Sequence, residues 1–266
     1  MSCQSLLISG TDTGVGKTIV TAALAMALDS VGLRVAPMKP VETGCVATAA
    51  GLAPCDALFL RRIARCTAAL DLICPYRFAP PVAPLVAAEE AGEAIRLAHL
   101  TACRQRLADR ADVLLVEGAG GLAVPLRADL DYARLARRWR LPLLLVIDNR
   151  LGCLNHARLS VAYAERVGLS ILGYVLNQTQ PAAGEAARSN PASLARLLAV
   201  PCLGVLPHVG GAALSPERVR ALALGEEGEP PSATVATTLE AIRALSQCLS
   251  LAALQHALAR DAAVKQ

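Results

Sequence analysis

One glycine-rich segment, residues 10–18 with the sequence GTDTGVGKT, constrains the fold of this chain more than any other. It follows an apolar run at residues 5–9 and precedes an alanine-rich stretch at residues 19–28. Strand, glycine loop and helix in that order form the context of a phosphate-binding loop. Glycines let backbone N–H groups turn toward an anion, and the helix adds its free N-terminal amides. The segment therefore predicts a nucleotide phosphate site, with Lys17 at the terminal phosphates and Thr18 at Mg²⁺.

The loop departs from the common pattern in two respects. Gly10 and Gly16 are separated by one residue more than in the usual G-x-x-x-x-G-K spacing. Asp12 and Thr13 also place a carboxylate and a hydroxyl inside the loop, which a phosphate ligand alone does not require. The alternative, a glycine-rich turn with a solvated lysine, does not account for the flanking strand and helix.

Apolar runs and helical patterns alternate along the chain. The predicted strands are residues 5–9, 34–38, 113–117, 142–148, 171–177 and 202–206. The predicted helices are residues 18–30, 56–65, 93–110, 129–138, 153–167 and 193–198. Most of the strands are rich in Val, Leu and Ile without polar alternation, which is typical of strands buried on both faces. We therefore predict an α/β fold: a P-loop NTPase-like, mostly parallel sheet with helices on both faces, in a single domain.

Three segments interrupt the alternation. Residues 41–54 and 75–84 are predicted to be irregular loops, long enough to be functional. Residues 225–232, GEEGEPPS, have the composition of a linker, and residues 237–258 could form a helix. The predicted organisation is a phosphate-binding domain over residues 1–224, followed by a linker and a helical tail over residues 225–266.

Composition narrows the possible partners and the compartment. Only 3% of the residues are aromatic and the formal net charge is +4, so little is available for stacking on nucleic acid. The nine cysteines are dispersed without a Cys-x-x-Cys pair, which favours a reducing compartment over a disulfide scaffold or metal site. No apolar run approaches the roughly 18 residues of a membrane span, and the N-terminus lacks a signal-peptide pattern. We expect a cytoplasmic protein without nucleic-acid or membrane partners.

Two charged residues lie at the ends of predicted strands that would lie near the glycine loop. Lys39 ends the second strand and is fixed by Pro40, so its ammonium either points over the sheet edge or extends into solvent. Glu117 follows four apolar residues, the pattern that places a carboxylate beside nucleotide-bound Mg²⁺; an N-cap or an exposed glutamate is the alternative. The glycines after it allow a ligand to approach closely.

Other polar residues carry weaker signals. Asp56 begins a predicted helix and is either an N-cap or a metal ligand. Asn177 ends the fifth predicted strand, where an amide reads a base edge or forms a turn. Residues 151–156, LGCLNH, begin a helix whose N-terminus could hold an anionic group.

Together these segments resemble a known family. GTDTGVGKT, KPVETG, PCDAL, VEGAGG, LGCLNHA and GYVLNQ are similar to the motifs of dethiobiotin synthetases, the ATP-dependent cyclo-ligases of biotin synthesis. The resemblance runs from Gln4 to about Pro207. It implies ATP and Mg²⁺ as cofactors, 7,8-diaminopelargonate with CO₂ or bicarbonate as substrates, and a homodimer with substrate near the interface.

The resemblance also implies a role for individual residues. Lys39 and Lys17 would be catalytic, and Thr18, Asp56 and Glu117 would surround Mg²⁺. The nucleotide would be held by Gly14, Val15, Gly16, Lys17, Thr18, Ile19, Asp56, Glu117, Gly118, Ala119, Gly120, Asn177, Gln178, Pro207, His208 and Val209, with Asn177 at adenine. Substrate would be held by Thr13 and Thr43 of one subunit and by Leu151, Gly152 and Asn155 of the other.

Two rival functions share the phosphate loop. A cobyrinate or cobyrate amide synthase normally carries a glutaminase domain, for which we expect no room in this chain. A partition-type ATPase has a signature lysine five residues before the conserved one, and Asp12 occupies that position here. Gln178 departs from the acid expected after the adenine-reading asparagine, which leaves the nucleotide preference open.

Overall fold

A computed structural model describes residues 3–181, 184–210, 213–225 and 233–264. Its centre is a parallel six-stranded sheet in the spatial order β12-β11-β10-β1-β7-β2. These strands are β1 (Gln4–Gly10), β2 (Val35–Met38), β7 (Val113–Gly121), β10 (Leu143–Asp148), β11 (Ile171–Asn177) and β12 (Cys202–Leu206). All six predicted strands lie in this sheet, and the predicted α/β fold is confirmed.

The long segments predicted as loops contain short strands. They are β3 (Val41–Thr43) paired with β6 (Tyr76–Phe78), β4 (Val46–Thr48) paired with β5 (Gly51–Ala53), and, further on, β8 (Pro125–Arg127) paired with β9 (Leu130–Asp131). The prediction of irregular loops was therefore wrong for most of residues 41–54 and for residues 76–78. Strands of two or three residues are too short to show a periodic pattern, and β3 meets its partner only through the tertiary fold.

Eleven helices surround the sheet in the described residues. They are α1 (Lys17–Ser30), α2 (Cys55–Ile63), α3 (Leu70–Ile73), α4 (Pro84–Glu90), α5 (Leu97–Ala108), α6 (Tyr132–Trp139), α7 (Cys153–Arg166), α8 (Glu185–Leu197), α9 (Pro216–Leu224), α10 (Ala233–Ser246) and α11 (Leu251–Val264). Helix α8 begins eight residues before its predicted start, because Pro191 inside it disguises the pattern. Helix α6 begins later than predicted, since Asp131 caps it by accepting a hydrogen bond from Arg134 N.

The sheet is buried on both faces, as its apolar strands predict. Alternate residues of β1 divide between two cores: Leu7 packs into one, while Leu6 and Ile8 pack into the other. Because β1, β7 and β2 are adjacent and parallel, their carboxyl ends meet at one edge. The glycine loop and Lys39 follow the ends of β1 and β2, and Glu117 lies within β7 beside Ile8 of β1, so the topology brings the predicted site together.

The last part of the chain folds back onto the sheet. One helix was predicted at residues 237–258, but two are present, α10 and α11. The chain between them pairs with β12: Ser250 N donates to Leu203 O at 2.8 Å. Ile242 and Leu245 of α10 and Leu254 and Leu258 of α11 are buried in the core that includes α1. Of the predicted linker, only Gly225 lies within the described residues. No helix of the described residues is long and apolar enough to span a membrane.

Removing buried side-chain volume from α10 should destabilise the whole fold. Ile242 is fully buried and α10 packs on α1, so Ile242→Ala should lower the free energy of unfolding by about 2–5 kcal/mol. Glu240→Ala, at an exposed position of the same helix, should change it by no more than about 0.5 kcal/mol. Chemical denaturation measures both, and equal stabilities would show that α10 is not part of the core.

Candidate active site

The glycine loop is held in a conformation that needs glycine at two positions. Gly14 and Gly16 have φ of +76° and +86°, in the left-handed region that side chains rarely adopt. At Gly16 there is also no space, because a Cβ would lie 2.2 Å from Asn177 Nδ2. The same amide nitrogen donates to Val15 O at 2.9 Å. The end of β11 therefore supports the loop directly at the start of α1.

Asp12 connects the glycine loop to the chain that follows β10, the strand beside β1 in the sheet. Asp12 O accepts a hydrogen bond from Lys17 Nζ at 3.1 Å, and Asp12 Oδ1 accepts one from Thr13 N at 2.7 Å. The other carboxylate oxygen lies 3.2 Å from Arg150 Nη2, which follows β10. Asp12 thus faces away from the loop interior, while its carbonyl orients the lysine.

Lys39 is buried between two carboxylates. Its backbone N–H donates to Ile73 O at 2.7 Å, which fixes the chain just after β2. Its Nζ lies 2.5 Å from Asp56 Oδ2 and 2.7 Å from Glu117 Oε1, with the side chain only 5% exposed. Of the two interpretations of Lys39, the geometry excludes the solvated surface lysine.

Glu117 is completely buried beneath the loop and has both oxygens engaged. Oε1 accepts from Thr18 Oγ1 at 2.9 Å, and Oε2 accepts from Thr21 Oγ1 at 2.6 Å. Thr21 also donates to Lys17 O, so it ties the carboxylate to the first turn of α1. Thr18, Asp56 and Glu117 are therefore brought together around the Lys39 ammonium.

These donors suit a magnesium ion that shares a nucleotide phosphate. The described residues hold no group of three or more His, Cys, Asp or Glu arranged for a metal. Two carboxylates and a hydroxyl are nevertheless the oxygen donors that Mg²⁺ takes in phosphate-transfer sites, where phosphate oxygens and water complete its shell. The residues present fit Mg²⁺ bound together with ATP rather than alone.

Burial and charge shift the pKa values of the charged groups in the site. Burial alone would lower the pKa of Lys39, but the carboxylates of Asp56 and Glu117 outweigh it and hold that pKa well above its usual value. Burial would raise the pKa of Asp56, yet Lys39 keeps it below the ordinary range. Burial and the nearby Lys39 lower the pKa of Lys17 to about 8. A phosphate beside Lys17 would favour its charged form.

An open cavity of about 470 Å³ lies over these groups. Ten of the predicted site residues line it: Thr13, Gly14, Gly16, Lys17, Thr18, Lys39, Thr43, Asp56, Ala119 and Gly120. Glu117 lies at its base through its bonds to Thr18 and Lys39. A Cβ at Gly118 would lie 3.2 Å from the Tyr132 ring, which is tighter than most side-chain contacts.

The remaining predicted residues lie outside this cavity. Val15 is buried in the core, and Ile19 lies on α1 beyond the loop. Gln178 accepts from Asn149 Nδ2 at 2.7 Å and donates to Gln180 O at 2.9 Å, so its amide is occupied locally. Pro207, His208 and Val209 follow β12, while Leu151, Gly152 and Asn155 are exposed at the start of α7.

Sequence reasoning missed several residues of the site. Thr21 stands three residues after Thr18 on α1, a spacing that places both on one helix face and was a usable signal. Glu42 belongs to the KPVETG segment but has no distinguishing pattern of its own. Residues 81–84 and Val124 also line the cavity. The sequence indicated residues 75–84 as a segment long enough to be functional, but it gave no signal for the individual residues or for Val124.

Comparison with known proteins agrees with these motifs. A family profile described as an AAA domain matches residues 4–213. The ATP-dependent dethiobiotin synthetase of Xylella fastidiosa is 43% identical over 209 residues, covering 79% of this chain and 92% of that protein. The enzyme of the same name from Pseudomonas paraeruginosa is 44% identical over 211 residues, covering 78% and 91%. The chain belongs to the dethiobiotin synthetase family.

A solved structure extends the comparison to the fold alone. A ParA family ATPase from Chlorobium tepidum matches with a TM-score of 0.55, covering 92% of this chain and 99% of the other at 12% identity. The likeness confirms the P-loop NTPase-like architecture. Family membership favours the predicted cyclo-ligase over both rivals, the cobyrinate-type amide synthase and the partition-type ATPase.

Proposed function

We propose that this protein uses MgATP to convert 7,8-diaminopelargonate and CO₂ into dethiobiotin, with release of ADP and phosphate, in biotin biosynthesis. The observation that carries the proposal is the position of Lys39. A buried ammonium held by Asp56 and Glu117 lines the same cavity as the phosphate loop. Phosphoryl transfer requires cations gathered around developing negative charge, and this arrangement supplies two lysines for it.

The reaction divides into three bond-forming steps. One amine of the substrate adds to CO₂ and loses a proton, which gives a carbamate. A carbamate oxygen then attacks the γ-phosphorus, and the bond to ADP breaks. The second amine attacks the carbamate carbon, closes the ureido ring and expels phosphate. Lys39 and Lys17 stabilise the charge that builds up on the oxygens during the second step.

The loop and the carboxylates share the work of holding ATP. Backbone amides of residues 14–19 bind the phosphates at the start of α1, where the helix dipole favours an anion. Thr18, Asp56 and Glu117 would hold Mg²⁺, which would neutralise phosphate charge and withdraw electrons from phosphorus. Ala119 and Gly120, which line the cavity, and the neighbouring Gly118 would present their backbone to the nucleotide along β7.

Two threonines that line the cavity suit the second substrate. Thr13 lies in the phosphate loop and Thr43 at the end of β3, and both line the same cavity as Lys17 and Lys39. Their hydroxyls donate and accept hydrogen bonds, as amine and carbamate groups require. A carbamate bound by these hydroxyls would lie near the γ-phosphate. This role would explain why the loop contains Thr13, which phosphate binding alone does not require.

Asn177 is suited to a purine that carries an amino group. Its Nδ2 is occupied by Val15 O, which leaves Oδ1 as an acceptor for the 6-amino group of adenine. Pro207, His208 and Val209 follow the neighbouring strand β12 and lie beside the base. Gln178 replaces the acid expected at this position, and its amide is already hydrogen-bonded to Asn149 and Gln180. Adenine recognition therefore falls to Asn177.

The active form is a cytoplasmic homodimer in this proposal. Leu151 is 83% exposed at the start of α7, beside exposed Gly152 and Asn155. In this proposal the partner subunit covers Leu151. The N–H of Cys153 donates to Arg150 O at 3.2 Å, so the next amides of this helix start would bind the substrate carboxylate held by the other subunit.

Product analysis tests the function directly. Purified protein is incubated with 7,8-diaminopelargonate, bicarbonate and MgATP, and dethiobiotin is identified by mass while ADP is measured in parallel. We expect one ADP for each dethiobiotin, and no ADP above background when the diamine is left out. Rapid ATP hydrolysis without diamine, and without product, would identify an ATPase of another kind.

Mixing two defective variants tests the shared site. Asn155→Asp places a negative charge at the proposed carboxylate site and should raise KM for the diamine, whereas Lys39→Met should stop turnover. If one subunit completes the site of the other, mixed dimers contain one intact site, and about a quarter of wild-type activity should return at low diamine concentration. A mixture no more active than its components would place both residues in the same site of one subunit.

A further inference from the structure

Helix α2 carries Asp56 in its first turn but has no cap of its own. Its N-cap residue is Pro54, which makes no side-chain hydrogen bond to the helix. The first amides of a helix lack partners within it and need acceptors from elsewhere. Here they find one in Glu42, a residue of β3 that lies 14 positions before Asp56 in the chain.

Glu42 binds this turn with both carboxylate oxygens. Oε1 accepts from Asp56 N and Oε2 accepts from Ala57 N, each at 2.9 Å. The side chain lines the cavity yet is almost fully buried, and burial raises the pKa of Glu42 to about 7 although Lys39 opposes the shift. A buried carboxylate is costly unless it is hydrogen-bonded, so this residue is better explained by a specific task than by packing.

The position of Asp56 depends on that turn. Asp56 and Lys39 come from different elements, and the 2.5 Å contact between Oδ2 and Nζ requires the start of α2 to lie close to the chain after β2. Glu42 stands three residues after Lys39 on the same segment and grips the Asp56 backbone. It therefore links the two sides of this contact.

We infer that Glu42 is a positioning residue that fixes the Asp56 carboxylate for magnesium binding, by capping α2 from β3. The inference rests on the proposed assignment of Asp56 to Mg²⁺. Glu42 itself makes no contact with the metal in this account. Glu42 affects metal binding only by orienting Asp56, whereas a further ligand would contact the metal directly.

Glu42→Gln removes the bidentate cap with the smallest change of shape. One amide oxygen can still accept a hydrogen bond, but the NH₂ group faces a backbone N–H donor, so the turn should shift. Changing the residue that orients a metal ligand typically costs about 10–100-fold in metal affinity. We expect weakening of that order for Mn²⁺ binding in the presence of a non-hydrolysable ATP analogue, measured by electron paramagnetic resonance.

Two controls separate positioning from general stability. Ser215→Ala removes a helix cap from α9, where Ser215 accepts a hydrogen bond from Arg218 N, and should leave Mn²⁺ affinity unchanged even if the melting temperature falls. In an Asp56→Asn background, Glu42→Gln should add less than about a twofold further loss, because residues acting through one another are not additive.

Three outcomes would overturn the inference. They are wild-type Mn²⁺ affinity in Glu42→Gln, the same loss in Ser215→Ala at equal melting temperature, and a full additive loss in the double variant. The Mn²⁺ measurement does not depend on turnover. If the wild-type protein binds Mn²⁺ with the analogue but forms no dethiobiotin, the proposed function fails while the role of Glu42 is still decided.

Discussion

Lys39→Met should reduce the kcat for dethiobiotin formation by about 10³-fold or more, the scale expected when a preorganised cation is lost from a transition state. The methylene stem is retained, whereas the ammonium between Asp56 and Glu117 is removed. Because the charge acts on the γ-phosphate, binding of ADP should change little. Steady-state kinetics and calorimetric titration with ADP measure the two effects.

The same variant should be less stable without ligands. It leaves two carboxylates together, one of them fully buried, and breaking a buried ion pair in this way costs about 3–5 kcal/mol. Mg²⁺ with ATP should restore part of the loss, since the metal replaces the missing positive charge. Arg34→Met, which breaks an exposed pair with Asp112, is the matched control and should cost no more than about 1 kcal/mol with normal turnover. Normal turnover in Lys39→Met would remove Lys39 from the mechanism.

Lys17→Met should weaken nucleotide binding as well as turnover. Lys17 follows the loop glycines and is oriented by Asp12 O, so its ammonium faces the phosphates in the bound state. We expect kcat/KM for ATP to fall by about 10²–10³-fold, and binding of a non-hydrolysable ATP analogue to weaken in the same variant.

The two lysines should therefore give different profiles. Lys39→Met retains ADP affinity and loses kcat, whereas Lys17→Met loses affinity for nucleotides that carry the terminal phosphates. Lys17 and Lys39 are two of the three lysines in the chain. ATP-analogue affinity within twofold of wild type in Lys17→Met would contradict its placement at the phosphates.

The main architecture could be predicted from the sequence because its signals are local. Each strand of the sheet is a short apolar run, and at least one predicted helix lies between each strand and the next, which implies a parallel sheet. The carboxyl ends of such strands share one edge, so the positions of Lys39 and Glu117 in the sequence already placed them near the loop. Burial of both faces of β1 agrees with that reasoning.

Other features depend on contacts between distant segments and left no local signal. Glu42 finds its partners on α2, and β3 finds β6, only after the chain has folded. The Asp12 side chain is oriented away from the loop by its ion pair with Arg150, which lies just after β10. The break between α10 and α11 follows from pairing with β12, which no pattern within the tail reveals.

The proposed carbamate route is tested most directly by tracing oxygen atoms from bicarbonate into phosphate. The protein is incubated briefly with ¹⁸O-labelled bicarbonate, 7,8-diaminopelargonate and MgATP. If a carbamate oxygen attacks the γ-phosphate in the cavity formed by the loop and Lys39, the inorganic phosphate released with dethiobiotin should carry ¹⁸O. Mass spectrometry of the phosphate and of the product decides the matter. Dethiobiotin formed with unlabelled phosphate would contradict this route, and phosphate released without dethiobiotin would contradict the function.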